Sequence, residues 1–173
     1  SYFVVTNRDE SAVGGNCKVD GNVSKIIVPA GVTLMAETQV QGRVEVQDGG
    51  TFVVANATPP SFVNLGVNST VEYNSTAPNI QVAEYGNLVL NGTGNKTFPA
   101  GTTTVHGTLT AADGIAIKGV TNNQSTLVLY GDLNYTGSPA FAPSEVGVAL
   151  DLRKAGTQTL NFAGKLDLFR LSA

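Results

Sequence analysis

The sequence predicts an all-β fold of the parallel β-solenoid type, and three observations support this prediction. A short pattern, apolar-x-Gly-x-apolar-x-apolar, recurs four times, at residues 40–46, 105–111, 129–135 and 162–168. Alternation of apolar and polar residues with a period of two is typical of a half-buried strand and not of a helix. Val and Thr are frequent, whereas no stretch has the apolar spacing of an amphipathic helix. A strand unit that repeats along a chain indicates stacked coils.

The candidate strands follow one another closely along the chain. In the first half they are predicted at residues 2–5, 25–28, 32–35, 40–46, 51–54 and 70–73. In the second half they are predicted at residues 88–90, 102–105, 107–111, 115–118, 126–130, 146–152 and 165–171. The segments between them carry Gly, Pro, Asn and Asp, which favour turns because they accept positive φ angles or fix φ. A stretch with two prolines at 136–145 predicts a loop inserted between strands.

Two all-β architectures fit these strands. A solenoid stacks successive coils in parallel, whereas an antiparallel β-sandwich joins neighbouring strands by hairpins. The second and third copies of the repeat begin at Val105 and Leu129, a separation close to one solenoid coil, and the other copies are spaced further apart and less regularly. We therefore expect a right-handed parallel β-solenoid, with the sandwich as the alternative. Residues 1–173 are expected to form one domain or a fragment of a longer solenoid, because the last residues keep a strand pattern without a polar cap.

The composition argues against several classes of function. Only 13% of the 173 residues are charged, the net charge is −3, and the basic residues are scattered. Nucleic-acid binding needs clustered Lys and Arg, so no nucleic-acid partner is expected. One cysteine, Cys17, cannot form an internal disulfide, and no apolar run approaches the roughly 18 residues of a membrane span. The chain begins at Ser1 without a signal peptide, so we expect a mature or trimmed fragment.

Side chains suited to catalysis or metal binding are few. The one histidine, His106, precedes a glycine of the repeat and is predicted to face solvent. Asp48 and Asp113 each precede a glycine and are predicted to be turn residues. The acids that stacked coils would align are Asp132, Asp151 and Asp167. No calcium-binding loop motif is present, and we expect no catalytic residue, no cofactor and no metal.

Two groups of residues are candidates for interactions. Apolar strands near both ends are expected to add to a neighbouring copy or module, because exposed strand edges recruit partners. The N-terminal candidates are Tyr2, Phe3, Val4 and Val5. The C-terminal candidates are Leu166, Leu168, Phe169 and Leu171. The candidates for contact with surface glycans are Tyr130 and Tyr135.

Residues 69–77 and 85–110 carry long composite phrases. The first reads Ser-Thr-Val-Glu-Tyr-Asn-Ser-Thr-Ala, and the second includes Asn-Leu-Val-Leu-Asn-Gly-Thr-Gly-Asn-Lys-Thr and Pro-Ala-Gly-Thr-Thr-Thr-Val-His-Gly-Thr-Leu-Thr. In this order the phrases closely resemble segments of large repetitive surface proteins of Bacteroidota. The match is weaker at 28–54 and fades beyond residue 136. The resemblance implies export across the outer membrane, often by the type IX route, and a role in adhesion, gliding or extracellular scaffolding.

These features predict a non-enzymatic extracellular module that serves as an adhesive stalk or filament subunit on a bacterial cell surface. Its expected partners are neighbouring copies or modules of the same surface protein. The alternative is a carbohydrate-binding module on a β-helix scaffold. A polysaccharide-degrading enzyme is less favoured because it needs clustered carboxylates. An ice-binding protein is less favoured because the Thr-x-Thr pairs at 102–104, 108–110 and 157–159 do not recur at one coil length.

Overall fold

The computed structural model describes residues 2–4, 10–13, 17–18, 25–122, 124–137, 140–141, 146–164 and 170–173, with backbone alone at 2–4, 10–13, 17–18, 41 and 140. These residues form strands and contain no α-helix. Every strand pair among them is parallel, and the coils stack into a β-solenoid. The predicted fold is therefore confirmed, and the sandwich is excluded because its neighbouring strands are antiparallel. The right-handed direction in which the chain winds around the solenoid axis stays a prediction.

The strands are short and numerous. The first eleven are β1 Tyr2–Val4, β2 Glu10–Val13, β3 Cys17–Lys18, β4 Lys25–Val28, β5 Thr33–Ala36, β6 Val40–Gln41, β7 Arg43–Val46, β8 Thr51–Val54, β9 Ser61–Leu65, β10 Thr70–Tyr73 and β11 Glu84–Tyr85. The remaining strands are β12 Asn87–Leu90, β13 Asn95–Thr97, β14 Gly101–Val105, β15 Leu109–Ala111, β16 Ala116–Lys118, β17 Ser125–Leu129, β18 Leu133–Tyr135, β19 Ala140–Phe141, β20 Val148–Leu152, β21 Leu160–Asn161 and β22 Arg170–Ser172.

The strands assemble into five parallel sheets. Sheet 1 contains β1, β4, β7 and β9, and sheet 2 contains β2, β5, β8, β10, β12, β15, β18 and β21. Sheet 3 contains β11, β14, β17, β20 and β22, sheet 4 contains β13, β16 and β19, and sheet 5 contains β3 and β6. In successive coils a strand of sheet 1 or of sheet 3 leads into a strand of sheet 2. Sheets 1 and 3 therefore lie on the same side of the solenoid, and sheet 2 is the continuous one.

The core consists of columns of apolar side chains that repeat from coil to coil. Pairing in sheet 2 aligns one inward column, which contains Leu34, Phe52, Val71, Leu88, Leu109, Leu133 and Leu160. A second inward column contains Ala36, Val54, Tyr73, Leu90, Ala111 and Tyr135. All of these side chains except Leu160 are buried. Each large apolar side chain buried in this way contributes roughly 1.5–3 kcal/mol, so the columns stabilise the stack along its whole length.

A column of glycines forms the corner between sheet 3 and sheet 2. Gly86, Gly107 and Gly131 occupy equivalent positions in three successive coils, and Gly66 lies next to Gly86. A Cβ added at Gly86 would lie 2.5 Å from the carbonyl oxygen of Gly66, and one at Gly107 would lie 2.9 Å from that of Gly86. A Cβ at Gly131 would overlap the carbonyl group of Gly107. Only glycine allows the backbones to approach this closely.

The repeat pattern is a corner and not one strand, which corrects the interpretation from alternation. The copies at 105–111 and 129–135 each leave a strand of sheet 3, turn at their glycine and enter a strand of sheet 2. The copy at 40–46 runs from β6 into β7. The fourth copy extends into residues 165–168, outside the described residues. Alternation continues across the glycine because inward-facing residues flank the corner on both sides, so the pattern alone does not reveal the break.

The interval between the second and third copies is one coil, as predicted, because Val105 pairs with Leu129. The predicted insertion at 136–145 is in part a strand, since β19 pairs with β16. Residues 138–139 and 142–145 of that segment lie outside the described residues.

Gly131→Ala is expected to destabilise the solenoid, because the new methyl group has to displace the backbone of the preceding coil. We expect the free energy of unfolding in urea to fall by about 3 kcal/mol. Gly114→Ala is the control: the φ of Gly114 is positive, at 76°, which adds a backbone strain that Gly131 lacks, but its added Cβ meets open space. The control should lose only about 1 kcal/mol through backbone strain. Equal losses in the two variants would contradict the close approach of the coils.

Candidate functional site

A buried polar cluster lies where sheet 1 ends and sheet 3 begins. The hydroxyl oxygens of Tyr73 and Tyr85 are 2.9 Å apart, and both tyrosines are fully buried. The backbone N–H of Gln81 donates to the Tyr73 hydroxyl at 3.3 Å, and the Tyr85 hydroxyl donates to the Gln81 carbonyl at 3.1 Å. Because Tyr85 has one proton to donate, Tyr73 must be the donor to Tyr85. The two tyrosine hydroxyls thus bond to the backbone N–H and carbonyl of Gln81, which lies outside the strands.

Ionisation of this tyrosine pair is strongly disfavoured. Burial raises the pKa of Tyr73 to about 12, partly opposed by its hydrogen bond with Tyr85. Burial also raises the pKa of Tyr85 well above its ordinary value of 10.0. Both hydroxyls stay protonated near neutral pH, so the pair acts as a hydrogen-bonded structural link.

The side chain of Gln81 closes one end of a groove between the two sheets. Its Oε1 accepts from the N–H of Phe62 at 3.4 Å, and its Nε2 donates to the carbonyl of Pro59 at 3.4 Å. The groove has a volume of about 280 Å³ and runs between residues 62–65 and 82–84. Val63 and Val82, on opposite sides of it, are 41% and 54% exposed. The glutamine amide therefore replaces ladder bonds at a site where β9 and β11 do not pair.

Three exposed side chains follow three paired strands of sheet 3. They are those of His106, Tyr130 and Arg153, and we call them the exterior row. The rings of His106 and Tyr130 stack with centroids 5.4 Å apart and planes 17° apart. Arg153 contacts Asp151 through Nε at 2.9 Å and through its terminal nitrogen at 2.7 Å. The prediction that His106 faces solvent is confirmed. Its Nε2 lies 3.4 Å from a carboxylate oxygen of Glu84.

The two tyrosines predicted to contact glycans lie in different environments. Tyr130 is 40% exposed, but one face of its ring is covered by His106. Tyr135 is buried, and its hydroxyl donates to the carbonyl of Ile115 in the core. The prediction for Tyr135 is therefore wrong, because residue 135 shares the inward face of β18 with Leu133.

Several acids in the described part of the chain have structural roles. Asp48 and Asp113 lie in turns before glycines with φ of 76°, as predicted. Asp132 accepts from Lys154 at 2.8 Å and from the N–H of Thr159, and the bond from Lys154 is the main reason that the pKa of Asp132 is lowered. Asp132 and Asp151 pair with separate bases and do not stack, and Asp167 lies outside the described residues. No group of three or more His, Cys, Asp or Glu side chains within the described ranges is arranged to hold a metal ion.

A lysine occupies a core position in sheet 4. Pairing places Lys96 in line with Ile117 and Phe141, and its side chain is fully buried. Its ammonium group donates to the carbonyl of Ser75 and, at 3.1 Å, to that of Thr93. No carboxylate in the described part of the chain bonds to this ammonium group, and burial lowers the pKa of Lys96 from 10.5 to about 8. The one signal of this position in the sequence pattern is that Lys96 stands two residues before the buried Phe98.

The residues predicted for strand addition are only partly described. Tyr2, Phe3 and Val4 form β1, which pairs with β4, and their side chains lie outside the description. Leu171 lies in β22 and is 53% exposed. The other candidates lie outside the described residues: Val5, Leu166, Leu168 and Phe169. For Cys17 the structure gives only the backbone, in β3.

No family model, no curated protein and no solved structure matches this chain. The resemblance to Bacteroidota surface proteins therefore stays a prediction. In the part of the chain that is described, no helix has the length and apolar character needed to span a bilayer.

Tyr85→Phe is expected to lower the free energy of unfolding by about 1–3 kcal/mol, because it leaves the Gln81 carbonyl without its donor and the buried Tyr73 hydroxyl without its acceptor. The control is Tyr130→Phe, which removes a hydroxyl whose partner, Arg153, is exposed at the surface, and it should change stability by about 0.5 kcal/mol or less. Urea denaturation, monitored by circular dichroism, measures the free energy of unfolding of both variants. A Tyr85→Phe variant as stable as the control would contradict the proposed link.

The stability of the wild-type chain is expected to rise with pH between about 8 and 10. In this window folded Lys96 has released its proton, whereas the unfolded chain still binds it, so unfolding takes up a proton. Below pH 8 both states are protonated and the contribution is constant. The free energy of unfolding, measured in urea at each pH, should rise by at most about 1.4 kcal/mol per pH unit. Lys96→Met should abolish this rise and Lys118→Met should retain it; a rise that survives in Lys96→Met would refute the assignment.

Proposed function

We propose that this chain is a non-enzymatic structural module of an extracellular bacterial surface protein, either a stalk segment or a filament subunit. The observation that supports this most directly is sheet 2, in which eight strands pair in parallel along one axis. Each coil is bonded to its neighbours along whole strands, so bending or extending the stack requires many backbone bonds to break together. Rigidity along one axis is the property that a stalk or filament needs.

The surface chemistry agrees with this role. Outward positions of sheet 2 carry mainly neutral residues, such as Thr51, Thr70, Val89, Thr110 and Asn134, and charged side chains are sparse in the whole chain. Such a surface makes few nonspecific charge contacts. The resemblance to repetitive Bacteroidota proteins supplies the proposed source and, with it, export by the type IX route. The paired state of Asp132 and Asp151 supports a role without catalysis, because neither carboxylate is left free to act as an acid or base.

Axial joining to a neighbouring copy or module is the proposed mode of assembly. Leu171 continues an inward column of sheet 3 that contains Thr103, Leu127 and Leu150. These three are buried, whereas Leu171 is 53% exposed, and β22 pairs only with β20 among the described strands. A strand added beside β22 would cover Leu171 and extend the ladder.

Leu171→Lys is expected to weaken self-association of the purified chain, because it places a charge at the apolar end of the column. Burial of a leucine contributes roughly 1.5–3 kcal/mol, so the association constant should fall by roughly tenfold or more. Sedimentation velocity over a concentration series measures this, and electron microscopy should show wild-type particles elongated along one axis.

The matched control is Val67→Lys, which places the same charge at a 62% exposed valine in the corner between β9 and β10. This variant should associate as the wild type does. A wild type that stays monomeric at every concentration, or an equal loss of association in both variants, would count against axial joining through β22.

Glycan binding at the exterior row is the second candidate function, and the exposure of Tyr130 favours it. The edge of the Tyr130 ring, its hydroxyl, which contacts Arg153, and Arg153 itself offer hydrogen bonds and a small apolar surface to a sugar. A glycan array with wild type and Tyr130→Ala distinguishes the candidates: binding that is lost in the variant supports this second function.

A further inference from the structure

A trough lined by small side chains crosses three successive coil corners on the side of the solenoid that follows sheet 2. It is lined by residues 55–57, 74–77 and 92–93, and its volume is about 500 Å³. The lining side chains are those of Ala, Asn, Ser and Thr, together with one glycine, and none of them is charged or aromatic. We call this surface the corner trough. It differs from the exterior row, which lies beside sheet 3.

The buried ammonium group of Lys96 lies behind the floor of the corner trough. It donates hydrogen bonds to the carbonyl oxygens of Ser75 and Thr93, and both of these residues line the trough. In a trans peptide the N–H points away from the carbonyl of the preceding residue, and the chain has no cis peptide bond in its described part. The N–H groups of Thr76 and Gly94 therefore point away from Lys96; Thr76 lines the trough, and Gly94 directly follows the lining residue Thr93. Neither N–H donates to a backbone carbonyl of the described residues.

This arrangement attracts negative charge. A buried cation polarises the two peptide groups that it contacts, so their N–H groups carry extra positive partial charge and favour an anion in front of them. A buried cation without a counter-ion costs free energy, and an anion in the trough would offset that cost. The side chain of Ser75 adds a further polar group, since its hydroxyl is buried without a partner in the described structure.

The remainder of the trough suits hydroxyl-rich ligands. The side chain of Asn74 carries an amide and is only partly buried, and the hydroxyl-bearing Thr76 and Thr93 are exposed. Amide and hydroxyl groups both donate and accept, which matches the hydroxyls of a sugar ring. The absence of aromatic and apolar side chains larger than alanine from the lining disfavours an apolar ligand.

We propose that the corner trough binds an acidic saccharide, with the sugar carboxylate at the N–H groups of Thr76 and Gly94 and the sugar hydroxyls at Asn74 and its neighbours. The lysine acts from behind the backbone and does not touch the ligand. The proposal is independent of axial assembly, because the trough lies at coil corners and not at a strand edge.

Titration of the ¹⁵N-labelled protein with a digalacturonate tests this assignment, with the neutral galactose disaccharide of the same linkage and acetate as comparison ligands. We expect the digalacturonate to shift the amide resonances of Thr76 and Gly94 and the other two ligands to leave them unchanged at the same concentration. Equal shifts with the neutral disaccharide, or with acetate, would overturn the proposal, as would shifts confined to other parts of the chain.

Two variants locate the source of the affinity. Lys96→Met keeps the alkyl stem in the core and should weaken digalacturonate binding by about tenfold, since it removes the charge behind the site. Ser75→Ala removes only the hydroxyl and should also weaken binding, with thermal unfolding unchanged. Lys118→Met, one coil away in β16, is the matched control and should bind as the wild type does. Undiminished binding in both Lys96→Met and Ser75→Ala, or an equal loss in Lys118→Met, would overturn the proposal.

Discussion

The in-register pairing of sheet 2 is the constraint on which the rest of the solenoid depends. Each inward residue of this sheet lies directly over its counterpart in the preceding coil, so a change in strand register would turn apolar side chains outwards. Variation in coil length must therefore be confined to the corners. The coil that runs from Leu133 to its partner Leu160 is much longer than the coil from Val71 to its partner Leu88, yet both pairs stay in line.

A change in corner length explains why the side of the solenoid that carries sheets 1 and 3 is divided into two sheets, whereas sheet 2 is continuous. Between β7 and β8, and again between β9 and β10, four residues form the corner; between β11 and β12 the corner is Gly86 alone. Because sheet 2 stays in register, the strand before the shorter corner is displaced, and β11 no longer pairs with β9. The amide of Gln81 and the hydroxyls of Tyr73 and Tyr85 then supply the hydrogen bonds that the ladder would have made. The short corner at Gly86 and the buried tyrosines are thus linked, because the tyrosines supply hydrogen bonds that the displaced strand does not make.

Much of the fold was predictable because alternation and turn residues report on it locally. Alternation found β5, β8, β10, β12 and β15 of sheet 2 but not β2 or β21, and the interval between the repeats that begin at Val105 and Leu129 found a coil. The position of Tyr135 was also present in the pattern, since it alternates with Leu133 on one face. The burial of Lys96 was less predictable, because a lysine in a strand pattern normally indicates the exposed face. The contact between Gln81 and Phe62 had no local signal, since it depends on a corner in one coil being shorter than in the preceding coil.

The polar groups inside this solenoid meet a common physical need at its corners. Ladder bonds satisfy the backbone along strands, but carbonyls at a corner lose their partners when the chain turns. The carbonyls of Ser75, Thr93 and Gln81 all lie outside strands, and each is satisfied by a polar side chain that reaches it from the interior. Tyr85 does this without charge, whereas Lys96 adds a cation behind the backbone. A neutral donor leaves the outer surface electrically unchanged, but a cationic one polarises the peptide groups in front of it. The corner trough is therefore a place where a structural requirement of the coil also creates a surface suited to an anion.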